Sequence, residues 1–270
     1  MDFELRKKGD LEYFVIPAFE KTGLVRHGFS TRRGGVSPKP YDSLNLGFKK
    51  EDDRERVLQN YALFCDALNI DFNDLVASDQ VHSDKVLQVF EKDRGKGIIR
   101  ESDIRAVDAL ITNARRVALT TYYADCVPLF FLDPKTPAIG LAHSGWRGTV
   151  KKIGAKTVQA MKETFGTEPE HLLAAIGPCI KKCCYEVDEP VIIEFQKSFT
   201  NWEQLVDSKD NGHWMLDLTK ANLLILMEAG IKPCNIFYET FCTSCRNDLF
   251  FSHRADRGKT GSLAAIMELV

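Results

Sequence analysis

The sequence predicts an α/β fold in which mixed sheet layers are sandwiched by helices. Three observations carry that expectation: short strand-like runs outnumber helical ones, several of those runs are apolar without alternation, and stretches of helical spacing recur between them. From Asp52 to Leu68, Val57, Tyr61, Phe64, Cys65 and Leu68 return at helical spacing, which describes an amphipathic helix. Strands follow over Val86 to Phe90, Asp108 to Thr112, Val117 to Tyr122, Val127 to Leu132 and Ile139 to Ala142. The stretch Val127 to Leu132 is apolar at every position, which suits a central sheet covered on both faces. Thr149 is read as the N-cap of a second helix that carries Ile153, Val158, Met161 and Phe165 and stops at Gly166. A strand over Leu173 to Ile176, a third helix from Asp217 to Ala229 ending at Gly230, and a strand over Ile236 to Tyr238 complete the set.

No repeat, low-complexity tract or long Pro/Gly/Ser run divides the chain, so one domain is expected over residues 1–270. A chain of 270 residues with 44% hydrophobic content can bury a large core. The formal charge of −2 gives no global pull toward nucleic acid or an anionic membrane, which makes a small-molecule substrate the default. The first residues lack the apolar stretch of a signal peptide, and no window approaches a membrane span, so the cytoplasm is the expected location. Eight cysteines in a chain of this kind read as free thiols or metal ligands rather than disulfides. The sequence does not fix the oligomeric state.

Three residues stand where apolar runs meet loops: His82 in Asp-Gln-Val-His-Ser, Cys126 in Ala-Asp-Cys-Val-Pro, and His143 in Ala-His-Ser-Gly-Trp-Arg-Gly. Two imidazoles and a thiol with a fourth position open describe a catalytic zinc site. Their separations of 44 and 17 residues form no short ligand signature. On the residues alone, a metal site and a pair of hydrogen-bonded loop histidines beside an ordinary buried thiol both stay open.

Several ordered motifs resemble one family. They are His27-Gly-Phe-Ser-Thr-Arg-Arg-Gly-Gly-Val-Ser37, Asp79-Gln-Val-His82, Asp108-Ala-Leu-Ile-Thr112, Ala124-Asp-Cys-Val-Pro-Leu129, Ala142-His-Ser-Gly-Trp-Arg-Gly148, Ile176-Gly-Pro-Cys-Ile180, Cys184-Tyr-Glu-Val187, Cys242-Thr-Ser-Cys245 and Phe251-Ser-His-Arg-Ala-Asp256. Together they resemble the YfiH/YlmD family, the FAMIN-related group long labelled polyphenol oxidoreductase or laccase domain. The resemblance implies a single YfiH-like domain, with fold-level similarity to cytotoxic necrotizing factor-like proteins, and a zinc held by His82, Cys126 and His143. It also implies phosphorolysis of the purine nucleosides adenosine, inosine and methylthioadenosine, together with adenosine deamination.

Deamination needs a group that carries protons to the departing ammonia. Asp125, beside Cys126, is the candidate, or alternatively it orients a histidine ligand. Phosphorolysis needs donors for phosphate, and the loop with Ser30, Arg32, Arg33 and Gly34 offers hydroxyls, guanidiniums and a close-approaching backbone; the bland reading is a tight turn with solvated arginines. Arg147, just before a helix expected near Val150, is a further anion contact, or a surface arginine resting on Trp146. Gln80 is placed on the base edge and Phe29 on the purine face. The remaining cysteines read as partly buried thiols near the site, with Cys242 and His253 as substrate-side neighbours. A structural metal on Cys242-x-x-Cys245 with Cys179, Cys183 and Cys184 is the less favoured reading.

Six histidines and no His-x-His cannot build the copper apparatus of a multicopper oxidase, although copper is an alternative ion for the His/Cys/His set. Two other hydrolases stay in view: a metal-free enzyme with Cys126 as nucleophile and His143 as base, and an editor of peptidoglycan precursors. A third class is a binding module whose zinc only stabilises the fold.

Overall fold

A computed structural model describes residues 2–270. In chain order its elements are β1 (Glu4–Lys8), β2 (Leu11–Val15), α1 (Pro17–Glu20), β3 (Val25–Ser30), α2 (Arg54–Leu68), β4 (Leu75–Ala77), β5 (Val86–Gln88), β6 (Ala109–Thr112), β7 (Ala118–Tyr123) and β8 (Val127–Asp133). Then come β9 (Ala138–Ser144), α3 (Trp146–Val150), α4 (Ile153–Phe165), β10 (Leu173–Ile176), β11 (Glu186–Asp188), α5 (Glu189–Ser198), β12 (Val206–Ser208), β13 (His213–Leu216), α6 (Leu218–Glu228), β14 (Ile236–Tyr238) and β15 (Leu263–Leu269).

Two six-stranded mixed sheets, ordered β1-β2-β3-β15-β7-β4 and β14-β10-β8-β9-β6-β5, form the middle of the molecule. Parallel strand pairs join β4 with β7, β5 with β6 and β10 with β14. The inner faces meet: Phe14, Phe29, Leu119 and Met267 from one sheet pack with Leu110, Phe130, Leu132 and Leu141 from the other. On the outer face of the first sheet, Tyr61, Phe64 and Leu68 of α2 cover Leu75, Ala118 and Ile266. On the outer face of the second, Val158 and Met161 of α4, Phe195 of α5 and Ile225 of α6 cover Val127, Leu129 and Phe131.

This layering explains the unalternated run in β8. Val127, Leu129 and Phe131 turn toward the helices while Phe130 and Leu132 turn toward the other sheet, so every position is buried. The expected mixed sheet layers between helices are present. The sheet expected to be covered on both faces is one of two packed sheets, its burial coming from a helix layer on one side and a second sheet on the other. A small antiparallel sheet, β11-β13-β12, sits apart from both.

Asp53 caps α2 by accepting from the N–H groups of Glu55 and Arg56, and Asp217 caps α6 by accepting from Lys220. Thr149 caps nothing. It lies inside the short helix α3, its hydroxyl donates to the Gly145 carbonyl, and α4 begins after Lys152 in a left-handed conformation. Arg147 accordingly lies within α3 rather than ahead of a helix near Val150. No helix among the described residues is long and apolar enough to cross a membrane.

Candidate metal centre and its cavity

His82 lies in the loop between β4 and β5, Cys126 in the turn between β7 and β8, and His143 near the end of β9. The fold brings the three together: one donor atom from each lies within 4.8 Å of the other two. The imidazole rings stand 4.9 Å apart between centroids.

One carboxylate orients both histidines. Asp108, fully buried just ahead of β6, accepts from His143 Nδ1 at 2.8 Å. It also accepts from the backbone N–H groups of Val81, His82 and Ser83 at 3.1, 3.0 and 2.7 Å, and from Ser83 Oγ at 2.8 Å. These bonds hold the turn in which His82 takes φ 60°, a left-handed conformation that costs a side-chain-bearing residue about 1–3 kcal/mol. The sequence reading assigned Asp108 no role. The signal was a carboxylate at the mouth of an otherwise apolar strand.

Charge at the centre is shared unevenly. Burial alone would raise the Asp108 pKa, but its bond with His143 and the donors of Ser83 hold it at about 2. Burial opposes protonation of His143, yet the Cys126 sulfur and Asp108 together push its pKa up to about 9. His82 moves the other way, lowered by burial and by the neighbouring His143 charge. The centre thus sets the His143 ring between the Cys126 sulfur and the Asp108 carboxylate, partners that favour positive charge there, as a divalent ion would supply it.

Two observations test the fit of a metal. His82 Nδ1 is buried without a hydrogen-bond partner. At Gly145 a Cβ would stand 2.8 Å from that nitrogen and 3.0 Å from Cys126 Sγ, so the glycine leaves the donor cluster its space. A nitrogen and sulfur set of this kind suits zinc or copper.

His82 and His143 also line a cavity of about 890 Å³. Its wall carries Lys49, Lys50, Arg54, Arg100 and Arg105 against two acids, Asp79 and Glu101. Lys49 is paired with Asp79, whereas half-buried Lys50 has no ion-pair partner among the described residues and its pKa is lowered by burial. The sequence reading missed this basic wall because its residues are scattered over several loops.

The expected phosphate and purine contacts fall elsewhere. Phe29 is wholly buried between the sheets against Tyr123 and Phe250, so it offers no face to a ligand. Ser30 is also fully buried and accepts from the Ala264 N–H. Arg32 is consumed by the Asp42 carbonyl, by Asn247 and by the Phe251 ring, and Arg33 pairs with Glu12 and Asp248. Gly34 has φ +88°, and a Cβ there would fall 2.2 Å from Leu11 Cα, so its freedom serves chain packing. None of these five residues lines the cavity. Gln80 does line it, but its amide both donates to the Tyr122 carbonyl and accepts from the Tyr122 N–H, leaving one N–H for a ligand.

Asp125 does not reach either histidine ligand. Its oxygens accept from Thr243 Oγ1 at 2.6 Å and from the Arg254 N–H at 2.7 Å, and the role of orienting a histidine belongs to Asp108. Arg147 is exposed with its guanidinium 4.2 Å from the centroid of the Trp146 ring, near enough for its charge to act on His82. Of the substrate-side neighbours, His253 is exposed, and Cys242 belongs to a different thiol cluster.

The family profile described as multi-copper polyphenol oxidoreductase laccase matches residues 26–270. The chain is 39% identical over 242 residues to the purine nucleoside phosphorylase YlmD of Bacillus subtilis, covering 89% of this chain and 87% of that protein. It is 34% identical to the adenosine deaminase RL5 of an unknown prokaryotic organism, covering 87% of this chain and 91% of that one. The crystal structure of the Bacillus licheniformis hypothetical protein YfiH superimposes with a TM-score of 0.93 at 35% identity, covering 98% of this chain and 99% of that one. Profile, sequence and fold agree over nearly the whole length, and the chain belongs to the multi-copper polyphenol oxidoreductase laccase family, in its YfiH/YlmD group.

Proposed function

We propose that residues 1–270 form a single cytoplasmic domain that acts as a zinc-dependent purine nucleoside phosphorylase on adenosine, inosine and methylthioadenosine, with adenosine deaminase activity. One observation carries the reading: a His/Cys/His donor set, oriented by Asp108, opens on a cavity whose wall is basic. The names of the similar proteins support the two activities.

His82, Cys126 and His143 are the residues that would hold the ion. Zinc bound there supplies Lewis acidity without redox chemistry, and copper displaces it where copper is abundant. Asp108 keeps His143 in the tautomer that presents its other nitrogen to Cys126. In phosphorolysis a phosphate oxygen attacks C1′, the glycosidic bond breaks, and the purine leaves with its electron pair and takes up a proton. Lys50, a wall cation with no ion-pair partner among the described residues, meets the phosphate charge, and Arg105 lines the same cavity. In deamination the same cavity admits water to C6 of adenine and releases ammonia.

With zinc-loaded protein, adenosine should yield adenine and ribose 1-phosphate only when phosphate is present, and inosine with ammonia in its absence. His82→Ala should abolish both. Adenine release indifferent to phosphate, or a fully active variant, would overturn the proposal.

A second reading rests on one feature. His143 stands between Asp108 and Cys126, the order of acid, base and nucleophile in a cysteine hydrolase. Chelation separates the two: a metal-free enzyme that keeps its turnover and loses it on thiol alkylation supports the hydrolase.

A further inference from the structure

Four cysteines outside the His/Cys/His centre converge. Cys183 and Cys184 lie in the turn ahead of β11, Cys242 and Cys245 in the turn after β14, and their sulfurs all lie within 4.8 Å of one another. The separations are 3.8 Å for Cys183 to Cys184, 3.6 Å for Cys183 to Cys245 and 3.3 Å for Cys184 to Cys245. A tetrahedron of zinc–sulfur bonds of about 2.3 Å has edges of about 3.8 Å. A disulfide would require about 2.05 Å, and all four thiols are free.

The backbone around the cluster suits a thiolate at Cys242. The Lys181 N–H donates to Cys242 Sγ at 3.4 Å, and the N–H groups of Ser244 and Cys245 are directed at the same sulfur. Neutral thiols are weak donors and weak acceptors, so four of them meeting gain little from one another. The Arg254 guanidinium donates to the Cys184 and Glu186 carbonyls and so ties down the loop that carries two of the four sulfurs. Cys183 and Cys245 are exposed, which gives an ion a way in.

We propose that Cys183, Cys184, Cys242 and Cys245 bind a second zinc ion in a closed four-thiolate site that is structural. Four protein ligands leave no position for substrate. Both contributing loops hold Asp125: the Ile180 N–H donates to its carbonyl at 2.9 Å and Thr243 Oγ1 donates to its carboxylate at 2.6 Å. They also meet each other, through the Thr243 N–H and the Cys179 carbonyl at 3.1 Å. Asp125, at φ 88°, directly precedes Cys126. The closed site therefore braces the turn that presents the sulfur of the open one, and it stands independently of the reaction assigned to that open site.

The test is metal counting on protein made with zinc under reducing conditions. Two zinc ions per chain are expected, falling to one in Cys183→Ser/Cys245→Ser and to one in His82→Ala/Cys126→Ser. Reconstituted with cobalt alone, the His82→Ala/Cys126→Ser protein should keep one ion and show the intense sulfur-to-cobalt charge-transfer absorption of four thiolates. That arm keeps the proposal testable even if the Cys183→Ser/Cys245→Ser variant does not fold. One zinc per chain in the parent, no charge-transfer absorption in the cobalt form, or a disulfide among the four in freshly reduced and desalted protein would overturn it.

Discussion

Asp108 sets the geometry of the candidate centre from a position with no ligand role of its own. Its carboxylate meets the ring of His143 and the backbone of His82, so it fixes one ligand by tautomer and the other by turn. Asp108→Asn keeps the size but replaces one acceptor oxygen with a donor that the three N–H groups of the turn cannot use. Metal affinity is expected to fall about 10–100-fold, the usual cost of losing an outer partner. A competition titration against a chelator measures this, and an unchanged affinity would show that the ligands orient themselves. His82, Cys126 and His143 were legible in the sequence only through their surrounding motifs. Asp108 was not legible as their partner, because its bonds reach back 25 to 27 residues and forward 35. Phe29 and Arg32 misled for the converse reason: residue types common in ligand sites are equally useful in a core or a loop clamp.

The elements most plainly written in the sequence are those with a single dominant pattern. Leu173–Ile176 and Ile236–Tyr238 match their expected bounds, and α2 and α6 lie within the expected helical stretches at the caps provided by Asp53 and Asp217. The reading left out β3 and β15, although β15 pairs with both β3 and β7 in the middle of the first sheet. Ala264 and Ile266 of β15 face α2, but a charged residue, Glu268, stands next to the strand's end and obscures its buried character. Glu268 is 2% exposed and its Oε1 has no hydrogen-bond partner. Burial, followed by the charge of Asp74, raises its pKa to about 7. Because the folded value exceeds that of the unfolded chain, the neutral group fits best below about pH 4.5, and stability is lost as pH rises through about 7. Glu268→Gln should therefore gain on the parent between those limits and hold its advantage above them, by at most about 3 kcal/mol. Melting temperatures across that range check the sign; a variant that loses ground as pH rises would contradict it.

At the scale of the whole molecule, a formal charge of −2 conceals a strongly basic cavity. Composition averages over the surface, whereas an anion meets the local field of the wall it approaches. That wall is assembled from residues 47–54, ahead of and entering α2 on the first sheet, and from residues 97–105, ahead of β6 in the second. The inner core that joins the two sheets therefore also holds these loops opposite each other, and no stretch of sequence contains the basic cluster as a run. Within it Lys49 is neutralised by Asp79, Arg54 is tied to the Ile98 carbonyl, Arg100 to the Arg94 and Lys92 carbonyls and Arg105 to the Ile104 carbonyl, which leaves the Lys50 ammonium as the cation with the least to give up on meeting an anion. Under the proposed phosphorolysis, Lys50→Ala removes that contact while leaving the metal ligands and Asp108 in place. Loss of one charge-assisted hydrogen bond, worth about 1.5–3 kcal/mol, should raise KM for phosphate about tenfold or more while bound zinc is unchanged. Initial rates against phosphate concentration, together with metal analysis of the same preparation, measure both. A KM that does not move would place the phosphate elsewhere on the wall, and a loss of zinc alongside it would assign Lys50 to the fold of the centre instead of to its substrate.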